Sequence, residues 1–67
     1  MPTIMLNGDP YAIDGELRLL ALLERLGMRE RRVAVEINRE IVPKASYAET
    51  VIKPGDQVEI INFVGGG

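Results

Sequence analysis

Residues 14–27 read DGELRLLALLERLG, and the period of their apolar positions decides the architecture. At about 100° per residue, Leu19, Leu22, Leu23 and Leu26 share one arc, while Arg18, Glu24 and Arg25 point away from it. The pattern predicts a one-faced amphipathic helix of roughly three turns. Asp14 can cap its start, Glu16 suits the positive end of the helix dipole, and Gly27 fits the left-handed position just past the end. A leucine stripe of this kind can also zip onto a partner helix. A short helix set between strands, however, draws its stability from lying on a sheet.

On either side the period drops to two. In TIMLNGDPYAI, residues 3–13, Ile4 and Leu6 alternate with Thr3 and Met5, and Asn7-Gly8 is a turn pair whose residues both tolerate positive φ. Tyr11 and Ile13 share one face of the returning strand, so the first element is a β-hairpin. In RVAVEINREIVP, residues 32–43, Val33, Val35 and Ile37 alternate with Ala34 and Glu36. Asn38-Arg39-Glu40 reverses the chain before Ile41-Val42, and Pro43 ends the strand because it cannot donate to a ladder. KASYAET, residues 44–50, reads as a loop with a short helical turn. KPGD, residues 53–56, is a turn, and QVEIINFV, residues 57–64, is the last strand with Val58 and Ile60 on one face.

The order β-β-α-β-β, in 67 residues, leaves room for one sheet with one helix across it. This is an α+β chain with the element order of the β-grasp, or ubiquitin-like, fold: a mixed sheet of four to five strands in a single domain, residues 1–67. In that architecture the first and last strands are parallel neighbours at the centre, which suits the apolar character of TIML and VEIINFV.

Composition narrows the function. The chain is 46% hydrophobic and 27% charged, with a net charge of −2 and neither Cys nor His. Disulfides, thiolate zinc sites and the commonest metal ligand are therefore missing, and no metal site is expected. The charge balance lacks the basic footprint of nucleic-acid binding. The cluster Arg29–Arg32 is interrupted by Glu30 and reads as a solvated connection. No leader or spanning segment is evident, so a cytoplasmic protein with no membrane partner is expected.

Without an imidazole or thiol, catalysis would fall to the carboxylates Glu16, Glu24, Glu36, Glu40, Glu49 and Glu59, which are scattered over predicted solvent faces. A stand-alone enzyme is not expected. The sequence closes on INFVGGG, residues 61–67. Gly65, Gly66 and Gly67 have no Cβ, so they are expected to form a flexible tail able to lie extended in a narrow channel. The α-carboxylate of Gly67 is inert at neutral pH but becomes electrophilic as an acyl-adenylate, a step for a partner enzyme. Read this way, Gly67 is the reactive position and Gly65 and Gly66 are the stretch that enters the partner's active site. The opposing reading is a fraying end.

These motifs resemble the ThiS family, the small ubiquitin-like sulfur carriers of thiamin-thiazole synthesis. The resemblance rests on the LNG hairpin, the leucine-rich helix, AVEINREIVPKASYAET, PGDQVEIINFVGGG and the glycine terminus, and it spans essentially the whole chain. The helix start GEL lacks the Thr or Ser often found there. The resemblance implies a cycle in which a ThiF-type adenylyltransferase uses ATP and Mg2+ to adenylate Gly67. A cysteine persulfide then supplies sulfur to form a thiocarboxylate, which a ThiG-type thiazole synthase consumes. No cofactor would be bound by the carrier itself. The fold and glycine end also admit a molybdopterin-synthase-type carrier, and an inert or conjugated ubiquitin-like interaction module is a third reading.

Three side chains beside the tail bear on docking. Phe63, with Ile61 or Val64, is expected on the sheet face away from the helix as an apolar patch for a partner, the alternative being that Phe63 closes the core. Tyr47 is expected to cover one end of the core with its hydroxyl in water, and Lys44 to be a solvated charge.

Overall fold

The computed structural model describes residues 2–63. The expectations for Val64 and for a flexible Gly65–Gly67 tail lie outside the described residues. Seven strands are present: β1 (Thr3–Leu6), β2 (Asp9–Ala12), β3 (Leu17–Arg18), β4 (Val33–Ile37), β5 (Glu40–Ile41), β6 (Val51–Ile52) and β7 (Gln57–Asn62). One helix, α1 (Leu19–Arg25), lies between β3 and β4, and short 3-10 segments occupy Glu30–Arg32 and Lys44–Glu49. Five strands form a mixed sheet in the order β2-β1-β7-β4-β5, and β3 pairs with β6 in a separate ribbon.

Both hairpins close through two-residue turns in the left-handed region. Asn7 (φ 50°) and Gly8 (φ 87°) join Leu6 to Asp9, while Asn38 (φ 53°) and Arg39 (φ 71°) join Ile37 to Glu40. Positive φ at both central residues is the type I′ geometry, whose twist matches that of the strands. Glu40, expected in the second reversal, is instead the first residue of β5.

The predicted helix is shortened at its start. Arg18 occupies the N-cap position with no side-chain cap, so Asp14 does not cap the helix and Glu16 is outside its first turn. Leu17 and Arg18 are extended and pair with Ile52 and Val51, and the Leu19 N–H donates to the Thr50 carbonyl at 2.9 Å. The β3–β6 ribbon thus takes two residues from the helix and supplies a backbone acceptor where a side-chain cap was expected. At the other end the prediction holds: Gly27 (φ 71°) donates to Glu24 and Met28 donates to Leu23. These are the paired bonds of a Schellman motif, which satisfies carbonyls the helix leaves open.

The core lies between the sheet and α1. Leu19, Leu22 and Leu23 from the helix meet Ile4, Val33, Val35, Val58 and Ile60 from the sheet, and Leu26 is only half-buried. Among the described residues no polar or charged residue is buried within it, and Tyr47 brings in a hydroxyl. Tyr47 departs from expectation: its residue is 1% exposed and its hydroxyl donates to the Val33 carbonyl at 3.2 Å. Because β5 is only two residues long, Tyr47 reaches the outer side of β4 where no strand does. Lys44 is likewise more than a solvated charge, since its Nζ donates to the Glu30 carbonyl at 2.9 Å and lies 5.8 Å from the Tyr47 ring centroid.

Tyr47→Phe is expected to lower stability by about 1–3 kcal/mol, because it leaves a buried carbonyl without its donor. Urea denaturation of the two proteins measures the difference; equal midpoints would mean the hydroxyl contributes nothing.

Candidate functional site

The candidate site is the outer face of β4 and β7, built by strand alternation. Successive side chains on a strand point to opposite faces, so burial of Val58 and Ile60 turns Gln57, Glu59, Ile61 and Phe63 outward. Ile61 is 59% exposed and Phe63 58% exposed. Phe63 therefore does not close the core, and the alternative offered by the sequence is excluded. Its backbone N–H donates to the Arg32 carbonyl at 2.7 Å, which carries the β4–β7 pairing past the last strand residue.

The register sets what surrounds Ile61. Ala34 lies opposite Ile61, Glu36 opposite Glu59, and Ile41 opposite Glu36. Ala34, Glu36, Ile41, Glu59 and Ile61 line a groove of about 230 Å³. Its floor is apolar, with Ile41 75% exposed, and two carboxylates stand side by side at one end. Two of these features were not read from the sequence. Ile41 and the Glu36–Glu59 pair become visible only when β5, β4 and β7 are placed in register, although the alternation of β4 already put Glu36 outward.

The arrangement suits covering by another surface. Among the described residues no three Asp, Glu, His or Cys side chains converge to hold a metal ion. No helix among them is long and apolar enough to cross a membrane. Of the residues singled out beforehand, the structure brings Ile61 and Phe63 to one face. Val64, Gly65, Gly66 and Gly67 lie outside the described residues.

The sheet order and the helix across it, among the described residues, define a ubiquitin-like β-grasp protein. A sequence model of the ThiS family matches residues 4–67. The chain is 31% identical over 64 residues to the sulfur carrier protein ThiS of Thermus thermophilus, covering 96% of this chain and 98% of that one. A crystal structure of a thiamine biosynthesis protein (ThiS) from Geobacter metallireducens superposes with a TM-score of 0.80 at 35% identity, covering 97% of this chain and 99% of that one. The chain is also 45% identical over 64 residues to a thiazole synthase of Paramagnetospirillum magneticum, which covers 96% of this chain. It spans 20% of that protein's length. The chain belongs to the ThiS family.

The adjacent isoleucines of β7 test the two faces against each other. Ile60→Ala is expected to cost about 2–5 kcal/mol as a core truncation. Ile61→Ala and Phe63→Ala should each change stability by no more than about 0.5 kcal/mol. Denaturation midpoints decide; a large loss at Phe63 would place it in the core after all.

Proposed function

We propose that the protein is a sulfur carrier for thiazole formation in thiamin biosynthesis, acting as a substrate of partner enzymes. The observation that carries this reading is the ThiS family match extending through Gly67. Similarity to a sulfur carrier protein along nearly its full length, and to part of a thiazole synthase, supports the same pathway.

In this cycle a ThiF-type adenylyltransferase joins the Gly67 carboxylate to AMP from ATP, with Mg2+ and release of pyrophosphate. The terminal sulfur of a cysteine persulfide displaces AMP, and a thiol reductant cleaves the acyl disulfide to leave a thiocarboxylate. Thiazole synthase of the ThiG type then takes the sulfur. Gly65 and Gly66 keep the approach to the acyl carbon free of side chains. Ile61 and Phe63 form the docking patch, to which the sequence reading adds Val64: Ile61 and Phe63 are exposed, and exposed apolar residues gain from being covered. The carrier works in the cytoplasm, where ATP is supplied, and holds no cofactor of its own.

The test is the mass of the C-terminal tryptic peptide after incubation with ATP, Mg2+, a ThiF-type enzyme and a persulfide source. The peptide beginning at Ala45 contains no methionine, so oxidation cannot imitate exchange of oxygen for sulfur. A rise by the sulfur–oxygen difference, located at Gly67 by fragmentation, is expected. An unchanged peptide with a demonstrably active partner would favour an interaction module. Ile61→Ala combined with Phe63→Ala should weaken partner binding about tenfold or more, as truncation of apolar anchors does.

A further inference from the structure

The end of β7 is held unequally on its two sides. Toward β4 the pairing runs without a break from Ile37–Val58 to Val33–Asn62 and on to the Phe63 N–H. Toward β1 the main-chain ladder stops early, its last paired residues being Leu6 and Val58. The Asn7 N–H then donates to the Val58 carbonyl at 2.9 Å, and at that point the first hairpin turns away.

Asn7 continues the ladder with its side chain. The Ile60 N–H donates to Asn7 Oδ1 at 2.8 Å, and Asn7 Nδ2 donates to the Ile60 carbonyl at 3.3 Å. A carboxamide has one acceptor and two donors and can satisfy a backbone N–H and C=O together, as a further strand residue would. Its φ of 50° belongs to the turn, so one residue both reverses β1 and clamps β7. The second hairpin places a turn asparagine at the other end of the strand, but only its oxygen meets the strand backbone. Asn38 Oδ1 accepts the Gln57 N–H at 2.9 Å, and its Nδ2 donates to Asp56 Oδ1 at 3.1 Å.

The two clamps differ in what they control. Asn38 fixes the entrance to β7 at Gln57, a residue that β1 already pairs through Met5. Asn7 supplies the last contact on the β1 side at Ile60, next to Ile61 and ahead of Phe63. We infer that Asn7 is a positioning residue for the reactive end: it fixes the line on which β7 delivers its final residues relative to the outer face. This rests on the proposed function, in which that face docks while Gly67 reacts. The apolar cover itself comes from the Ile61 and Phe63 side chains, and Asn7 bonds only the backbone of Ile60. The direction of β7 from Ile60 to Asn62 sets the course from which the chain runs on to Gly67, and small misplacements of a reacting group reduce rates steeply.

Asn7→Gly separates this role from the turn, because glycine accepts positive φ and retains the reversal while removing the carboxamide. Asn7→Asp keeps the 2.8 Å acceptor and loses the donor. Amide hydrogen exchange of the intact carrier and steady-state adenylation by a ThiF-type enzyme are measured on all three proteins. In Asn7→Gly, exchange at Ile60 should accelerate about tenfold while the Val35 amide is unchanged, as a local opening requires. The kcat for adenylation should fall about tenfold with KM for the carrier retained. Asn7→Asp should recover part of both.

Faster exchange at Ile60 with wild-type kcat would overturn the positioning role and leave the proposed function standing. Uniformly faster exchange with unchanged kinetics would reduce Asn7 to a stabilising residue. A wild-type chain that an active partner does not adenylate would overturn the proposed function and the positioning role together.

Discussion

Pairing of β7 on both edges is the constraint on which the rest of the molecule depends. It runs parallel to β1 and antiparallel to β4, so one strand joins the two hairpins into one sheet. Val58 and Ile60 are buried on its inner face, each worth about 1.5–3 kcal/mol relative to exposure. A slip of one residue would expose both and bury Glu59 and Ile61, so the register is strongly specified. Anchoring of the inner face therefore also fixes which side chains the outer face presents. Core stability and the composition of the candidate docking surface are two consequences of one alternation.

The elements around β7 show how a small sheet meets its backbone requirements with short strands. Where β5 ends, the Tyr47 hydroxyl takes the Val33 carbonyl. Where β1 ends, the Asn7 carboxamide takes both polar groups of Ile60. Ahead of α1, the Thr50 carbonyl receives the first helical N–H. In each case a polar group near the core finds a partner from a segment distant in sequence, as burial demands. Lys44 makes a similar long-range link at the surface, joining the 3-10 segment it opens to Glu30 ahead of β4.

The ThiS family gives this architecture its context. The proposed carrier needs a surface to be recognised and an end to be modified, and the exposed side chains of β7 offer a candidate for the first. Ile61 and Phe63 remain uncovered, two of the five exposed large apolar side chains among the described residues. The neighbouring Glu36 and Glu59 make the face amphipathic. Like charges opposite each other on adjacent strands are unfavourable, so the groove carries a small internal cost.

The sequence by itself determined the order of elements, the turns and the inner face. Each is a local matter: period 3.6 against period 2, the left-handed tolerance of Asn7-Gly8, the lack of a Cβ at Gly27. It also determined the outward direction of Ile61, through the alternation that buries Ile60. Tertiary structure decided everything that depends on segments remote in sequence. Leu17 and Arg18 look helical by period but pair with β6, because ladder bonds and the Thr50 cap outweigh two more residues of helix. Whether Phe63 closed the core or faced outward rested on the register with β4. Tyr47, Lys44 and Asn7 acquired their partners 14, 14 and 53 residues away. Hydrogen bonds across such separations leave no periodic trace in the chain and exist only once the sheet has closed.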